Sequence, residues 1–281
     1  MADPLESLRL PPGPVAPDPA FATRLRARVV RALALPEGVT VSNLTIDARM
    51  QEGDIAYASL LVPDLGRARA FFGHVLGWMF GPGSSEQGAQ VEGRSLSHGM
   101  WGSQERSNLL LCFAVEEVSL AVERVRAAGG QAEEPSDESY GRIANCVDDQ
   151  GMAFSIFTPP GAPPERGPAN GERHGDLSYL TLEVVDAART RRFFGEVLGW
   201  HFSPGRIEDG WGVEGVVPMS GLSGGHPVDT VVPMYRVDDI VAAVDRVRAA
   251  GGTATDPVTQ PYGRTSECVD DQGTRFYLGE L

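Results

Sequence analysis

The segment YGRIANCVDDQG at residues 140–151 returns as YGRTSECVDDQG at residues 262–273, 122 positions later and with three letters changed. The same offset aligns RAFFGHVLGW with RRFFGEVLGW, and ERVRAAGG with DRVRAAGG. Similarity at one fixed offset over a long stretch indicates a repeated structural unit. The sequence therefore predicts a tandem duplication of a single domain.

The limits of the similarity define the predicted domains. A first domain is expected at residues 53–158 and a second at residues 175–281, which suits a chain of 281 residues. Residues 159–174 are rich in proline, glycine and charge, and are interpreted as a linker. Residues 1–50 predict a proline-rich arm and an amphipathic helix that bears arginines, for which docking on the acidic body is favoured over a membrane surface.

Composition excludes several classes of partner. The formal net charge is -14, and all 24 basic residues are arginines. Such a negative surface repels the phosphates of nucleic acids. The chain lacks an apolar run of about 18 residues and the residue order of a signal peptide, so we expect a cytoplasmic protein without a membrane partner. Three cysteines are too few for a disulfide framework.

Each repeat contains two similar halves, each with a strand, an acidic helix start, a helix and several short strands. In the first half Asp64 is placed to cap a helix that ends at Gly77. In the second half Glu116 and Glu117 begin the next helix, which ends at Gly129. This alternation predicts α+β packing, with a curved sheet on one side and helices on the other. The DDQG segments predict tight turns between strands, in preference to catalytic carboxylate pairs.

The order VPDLGRARAFF, VLGW, FAVEEV, RVRAAGG and VDDQG resembles the vicinal oxygen chelate superfamily, which includes glyoxalase I, bleomycin-resistance proteins and extradiol dioxygenases. The resemblance covers both repeats. It implies two tandem glyoxalase-like domains, each built of two βαβββ modules curled around a cup. In metal-dependent members, His, Glu or Gln side chains from first and last strands hold one divalent ion, which polarises neighbouring substrate oxygens.

The resemblance places these ligand positions on four residues in each repeat: Tyr57, His98, Leu110 and Ser155 in the first, and Tyr179, Ser220, Val232 and Tyr277 in the second. Only His98 is a usual ligand of a divalent cation. First-row cations need three or four nitrogen, oxygen or sulfur donors. We therefore expect no metal and no other cofactor in either cup, and interpret His98 as a polar residue at a pocket or strand edge.

Aromatic, aliphatic and hydroxyl-bearing side chains are left as candidates for the cup linings: Tyr57, His98, Trp101, Leu110 and Ser155 in the first repeat, and Tyr179, Trp211, Val232 and Tyr277 in the second. Two further pairs precede a strand, and either border the cup openings or pair with nearby acids: Tyr140 with Arg142, and Tyr262 with Arg264. Such a lining suits a flat, partly hydrophobic small molecule. Differences between the repeats indicate two unlike cups.

The leading hypothesis is a metal-free protein that binds or sequesters a small organic ligand, in the manner of a resistance protein. The alternative is an enzyme of the same superfamily. It would be a metal-dependent lyase or dioxygenase, or a metal-free isomerase or cyclase with Tyr or His as general acid or base. A third hypothesis is an interaction module built on the N-terminal helix. The duplication makes a monomer sufficient, and a homodimer stays an alternative.

Overall fold

A computed structural model describes residues 49–94 and 96–281. Apart from residues 49 and 50, the predicted N-terminal arm and helix lie outside the described residues. Within the described ranges the chain forms four helices: α1 (Leu65–Leu76), α2 (Val118–Ala127), α3 (Ala187–Leu198) and α4 (Ile240–Ala249). Each is too short to cross a lipid bilayer.

The strands divide evenly between the repeats. The first repeat holds β1 (Ile55–Leu61), β2 (Phe80–Pro82), β3 (Gly88–Val91), β4 (Ser97–Trp101), β5 (Asn108–Ala114), β6 (Gln131–Ala132), β7 (Ser136–Glu138), β8 (Gly141–Val147) and β9 (Ala153–Thr158). The second holds β10 (Leu177–Glu183), β11 (Phe202–Pro204), β12 (Gly210–Val213), β13 (Ser220–Ser223), β14 (Thr230–Arg236), β15 (Thr253–Ala254), β16 (Val258–Gln260), β17 (Gly263–Val269) and β18 (Arg275–Glu280).

Each repeat contributes one nine-stranded mixed sheet. The first has the order β2-β3-β4-β1-β5-β9-β8-β6, with β7 on β8, and the second repeats this order from β11 to β15, with β16 on β17. The predicted α+β fold is confirmed. The first half of each repeat is a βαβββ module as expected, and the second half carries one additional strand of two residues, β6 or β15.

The helix boundaries follow from local chemistry. The Asp64 carboxylate accepts a hydrogen bond from the backbone N–H of Arg67 at 2.9 Å, which satisfies one free donor of the first turn of α1. Gly77 ends α1 in the left-handed conformation, with φ of 63°. Glu117 caps α2 through the backbone N–H groups of Ser119 and Leu120. The predicted start and end of α1 are confirmed.

The hydrophobic core is shared between the repeats through the first helix of each. Phe72 of α1 lies with its ring centroid 5.5 Å from that of Phe276 on β18 of the second sheet. Phe194 of α3 lies 5.6 Å from Phe113 and 5.5 Å from Phe154, both on the first sheet. All of these rings are buried. Each first helix therefore packs on the strands of the opposite repeat, and the two sheets enclose one core.

The duplicated DDQG segment forms a turn and joins the repeats. The Asp148 carboxylate closes the turn by accepting from the backbone N–H of Gln150 at 2.9 Å. Asp149 accepts from Arg189 of α3 at 3.1 Å, and Gln150 donates to the carbonyl of Asp186 at 3.2 Å. The prediction of a tight turn is confirmed. Its second acidic residue and its glutamine hold the N-terminus of a helix from the other repeat.

The second copy makes the reciprocal contacts. Asp271 accepts from Arg67 of α1 at 3.0 Å, and Gln272 exchanges hydrogen bonds with the backbone of Asp64 at 2.8 and 3.0 Å. Exposed ion pairs contribute little alone, typically below about 1 kcal/mol. These contacts instead set the orientation of the repeats, because they hold each first helix over the opposite sheet.

Prediction for the shared core. Phe194→Ala removes a fully buried ring and should lower the free energy of unfolding by about 3–5 kcal/mol. Because the core is continuous, calorimetry should show one transition, shifted as a whole to lower temperature. Met79→Ala serves as the control, since Met79 is 67% exposed, and should change stability by less than about 0.5 kcal/mol. Two separate transitions, with only one of them shifted, would contradict a shared core.

Candidate functional site

The side chains of each strand alternate between the helix-covered side of the sheet and the opposite side. On the first sheet, residues whose chain neighbours pack into the core point away from the helices: Tyr57, Trp101, Leu110, Cys112 and Ser155. We call this side the first open face. The equivalent side of the second sheet, the second open face, carries Tyr179, Val232, Met234 and Tyr277.

Strand register shows which of the predicted residues come together. Tyr57 lies opposite Cys112, and Cys112 lies opposite Ser155, so these three form one row across β1, β5 and β9. Leu110 shares the face but lies opposite Ser59, two residues further along. The predicted position on β5 is therefore displaced by two residues from the row that contains Tyr57 and Ser155.

The same displacement occurs on the second sheet. Tyr179 lies opposite Met234, and Met234 lies opposite Tyr277, which forms the corresponding row. Val232 lies opposite Thr181 and outside that row. The sequence did not indicate Cys112 or Met234, because residues two apart on a strand share a face and only pairing register separates them.

Tyr57 fills the middle of the first open face. Its hydroxyl donates to Oε1 of Gln90 at 3.0 Å. The ring lies over Gly99, where a Cβ atom would stand 1.8 Å from the hydroxyl oxygen, so only glycine leaves room for it. Burial, and then the nearby phenol of Tyr140, raises the pKa of Tyr57 to about 12. The side chain is therefore a neutral hydrogen-bond donor at neutral pH.

Around Tyr57 the first open face is apolar and aromatic. Trp101 is 38% exposed and Leu110 is half-buried. Tyr140 is exposed, and its ring lies 6.3 Å from that of Phe157 on β9. Burial raises the pKa of the Cys112 thiol to about 12, so this thiol stays neutral. The exposed aromatic area is suited to stacking with a flat molecule.

His98 does not lie on the first open face, contrary to the sequence-based expectation. It is buried on the helix side of β4, where its ring lies 4.8 Å from that of Trp78. Nδ1 donates to the carbonyl of Gly99, so Nε2 accepts the hydroxyl proton of Tyr235 from the second sheet, both at 3.0 Å. Burial lowers the pKa of His98 to about 4. His98 is a neutral residue of the shared core.

Three other predicted residues also lie on the helix side. Trp211 packs against the core, with the guanidinium of Arg191 at 3.6 Å from its ring centroid. Arg142 is on the same side of β8 as core residues and lies 3.5 Å from Asp137. Arg264 forms an ion pair with Glu280 at 3.2 Å. Of the two interpretations offered from the sequence, the two arginines therefore follow the second: they pair with nearby acids and do not border the open faces.

Tyr262 is exposed immediately before β17, and the guanidinium of Arg206 lies 5.5 Å from the centroid of its ring. Burial, and then the nearby phenol of Tyr262, raises the pKa of Tyr179 above its usual value. Tyr140 and Tyr262 thus lie beside the two open faces. Ser155 is buried in the first row, and its hydroxyl donates to Asn145 at 3.0 Å.

The second open face carries an ion-pair network that the first lacks. Arg275 donates to both carboxylate oxygens of Glu183, at 2.6 and 3.1 Å, and to Glu267 at 3.1 Å. Nδ1 of His226 lies 3.5 Å from the same Glu183 carboxylate. The pKa of Arg275 is raised, mainly by its hydrogen bonds to Glu183, although partial burial acts in the opposite direction. The two open faces therefore differ in chemistry, not only in shape.

The differences between the two copies, which the search for identical segments passes over, indicate this network. At the offset of 122, Glu183 aligns with Leu61 and Arg275 aligns with Ala153. Opposite charges that replace apolar residues at two positions of one repeat indicate an ion pair between them. Reading the differences between the copies, rather than their identities, identifies this site.

The donor sets of the open faces do not fit a divalent cation. The first row offers a tyrosine bonded to Gln90, a neutral thiol and a serine bonded to Asn145. The nearest carboxylate, that of exposed Glu133, accepts a hydrogen bond from Asn145 at 2.9 Å and is one acidic ligand without a second. On the second face Glu183 is already held by Arg275. Within residues 49–94 and 96–281, no group of three or more His, Cys, Asp and Glu side chains is arranged to hold a metal ion.

Comparison with known proteins supports the fold. The chain is similar to a Mn(II)-bound glyoxalase from Novosphingobium aromaticivorans, with 18% identity, a TM-score of 0.64 and coverage of 83% of this chain and 82% of that one. It is also similar to the 2,3-dioxygenase LapB from Pseudomonas sp. KL28, with 14% identity, a TM-score of 0.62 and coverage of 83% of this chain and 93% of that one. A catechol 2,3-dioxygenase has 16% identity, a TM-score of 0.62 and coverage of 82% of this chain and 88% of its own. No protein-family model and no curated protein sequence matches the chain. At these identities the likeness establishes the fold alone, and this is the glyoxalase-like fold that the motifs led us to expect.

Prediction for His98. The folded pKa of about 4 lies below the 6.5 of an unfolded histidine, so the unfolded chain binds a proton that the folded chain does not. Stability from the neutral ring is present above pH 6.5 and is lost as pH falls towards 4, by about 2–3 kcal/mol at pH 4.5. Urea unfolding of the natural chain and of His98→Gln at pH 7 and 4.5 measures this. The loss of stability should be smaller in His98→Gln by that amount, and equal losses would contradict a buried neutral His98.

Proposed function

We propose that this chain, which has the vicinal oxygen chelate fold, binds a flat and partly hydrophobic organic molecule on its first open face without a metal ion. One observation carries the proposal: Trp101, 38% exposed, shares that face with Tyr57 and half-buried Leu110. Stacking and burial of apolar area provide the affinity, and the Tyr57 hydroxyl orients a polar group of the guest. Sequestration or resistance in the cytoplasm fits such binding, and a monomer suffices for it.

A cavity elsewhere is a weaker candidate for this ligand. A recess of about 330 Å³ lies at the start of α2. Its lining includes the carboxylates of Glu116, Glu117, Asp137 and Glu138. Four carboxylates with one arginine favour cations or water over an apolar guest. The first open face therefore fits the proposed ligand better.

An enzyme is the second candidate, favoured by the glyoxalase and the dioxygenases among the structural neighbours. Because the first open face lacks a set of metal ligands, the enzyme that its side chains allow is a metal-free isomerase or cyclase. Tyr57 would act as a general acid and not as a base, because its raised pKa of about 12 keeps the proton on the oxygen. Turnover of a bound carbonyl compound that Tyr57→Phe abolishes, with binding retained, would favour the enzyme over a sequestering protein.

Prediction for the first open face. Catechol and 2,3-dihydroxybiphenyl are suitable probes, because both are flat and carry neighbouring oxygens. Calorimetric titration in the presence of EDTA should show one binding site per chain. Trp101→Ala should weaken the affinity about tenfold, which corresponds to about 1.4 kcal/mol and to the loss of one stacking surface.

The matched control is Trp211→Ala, which removes the same side chain from the helix side of the second sheet. It should leave the affinity for both probes unchanged. Binding that disappears with EDTA, or an affinity that Trp101→Ala leaves intact, would contradict metal-free binding on the first open face.

A further inference from the structure

The ion pair of the second open face has no part in the function proposed above. Glu183 is 6% exposed, and its carboxylate receives two hydrogen bonds from Arg275, at 2.6 and 3.1 Å. Arg275 also donates to Glu267 at 3.1 Å. Planar bidentate pairs of this kind are the strongest ion-pair geometry in proteins. One guanidinium thus compensates two carboxylates, one of them buried.

The pair lies at one end of three neighbouring strands of the second sheet. Glu183 is on β10 and Arg275 is on β18, so a contact between them crosses β14, which lies between these strands. Val232 of β14 points away from the core, yet it is 2% exposed. Thr230, two residues before Val232 on the same strand, lies opposite Glu183. Val232 and Tyr277 are two of the positions at which the sequence resemblance places metal ligands, and Arg275 precedes Tyr277 by two residues on the same face.

We propose that Arg275 is the resident cation of the second open face and that its guanidinium excludes a divalent metal ion from it. The guanidinium stays charged at every pH of interest. A second cation next to it would meet repulsion while finding the carboxylate oxygens already engaged. This inference concerns a different face from the proposed ligand site, and the failure of either leaves the other standing.

The proposal predicts what happens when the guanidinium is removed. Arg275→Met leaves the buried carboxylate of Glu183 facing Glu267, with the imidazole of His226 at 3.5 Å from Glu183. Two carboxylates and an imidazole are donors that Mn²⁺ accepts. A buried charge without its partner is strongly destabilising, which favours uptake of a replacement cation. Within the described residues these three side chains are not arranged to hold an ion. The variant should therefore gain a divalent-cation site, which the natural chain lacks, when Glu183, Glu267 and His226 move into the space that the guanidinium leaves.

Titration of the full chain with Mn²⁺, followed by the electron paramagnetic resonance signal of the free ion, tests this inference. The natural chain should show no stoichiometric binding. Arg275→Met should bind one Mn²⁺ per chain, at least about tenfold more tightly than the natural chain does, and its Tm should rise with added Mn²⁺. Adding Glu183→Gln and Glu267→Gln to Arg275→Met should abolish this binding.

Arg264→Met provides the matched control. It removes an equal charge from the same sheet, where Arg264 pairs with Glu280 alone, and it should bind no Mn²⁺. The proposal is overturned if the natural chain binds Mn²⁺ through Glu183, or if folded Arg275→Met binds none. If Arg275→Met is unfolded in metal-free buffer, the proposal requires Mn²⁺ to restore its folded circular dichroism spectrum, and no restoration overturns it.

Discussion

The packing of each first helix on the sheet of the opposite repeat is the constraint on which the rest of this structure depends. Phe72 and Phe194 are fully buried among rings of the other repeat. A single repeat would expose both its helix-side strands and these rings to water. The same packing contributes to the need for a glycine in each AAGG segment. A Cβ at Gly130 would lie 2.6 Å from the carbonyl oxygen of Val147 in its own repeat and 2.9 Å from the ring of Phe193 in the other. At Gly252 the corresponding distances are 2.5 Å to the carbonyl oxygen of Val269 and 3.0 Å to the ring of Phe71.

Because the interface between repeats constrains the helix side, the copies can differ more on their open sides. The first face has Leu61 and Ala153 at the positions where the second has Glu183 and Arg275. One duplicated scaffold thus carries an aromatic surface suited to an organic guest and a surface occupied by its own ion pair. We propose that the two copies have different functions, although every strand of one sheet has a counterpart in the other.

The fold was predictable from the sequence, and the site only in part. Asp64 and Gly77 mark helix ends by chemistry that acts within a few residues, so no long-range information was needed. The faces of short strands are different, because a shift of one residue in the reading of a strand reverses inside and outside. His98 and Trp211 were assigned to the cups for this reason. The register of β5, which brings Cys112 rather than Leu110 beside Tyr57, depends on pairing that the sequence does not state.

The central claim is that the two open faces hold different occupants: an organic molecule on the first and the chain's own guanidinium on the second. A crystal soaked with catechol and Mn²⁺, with diffraction recorded at the manganese edge, tests both halves in one map. The account predicts planar density beside Trp101, an intact Glu183–Arg275 pair, and no anomalous peak on either face. A manganese peak held by three or more side chains on either face would contradict it.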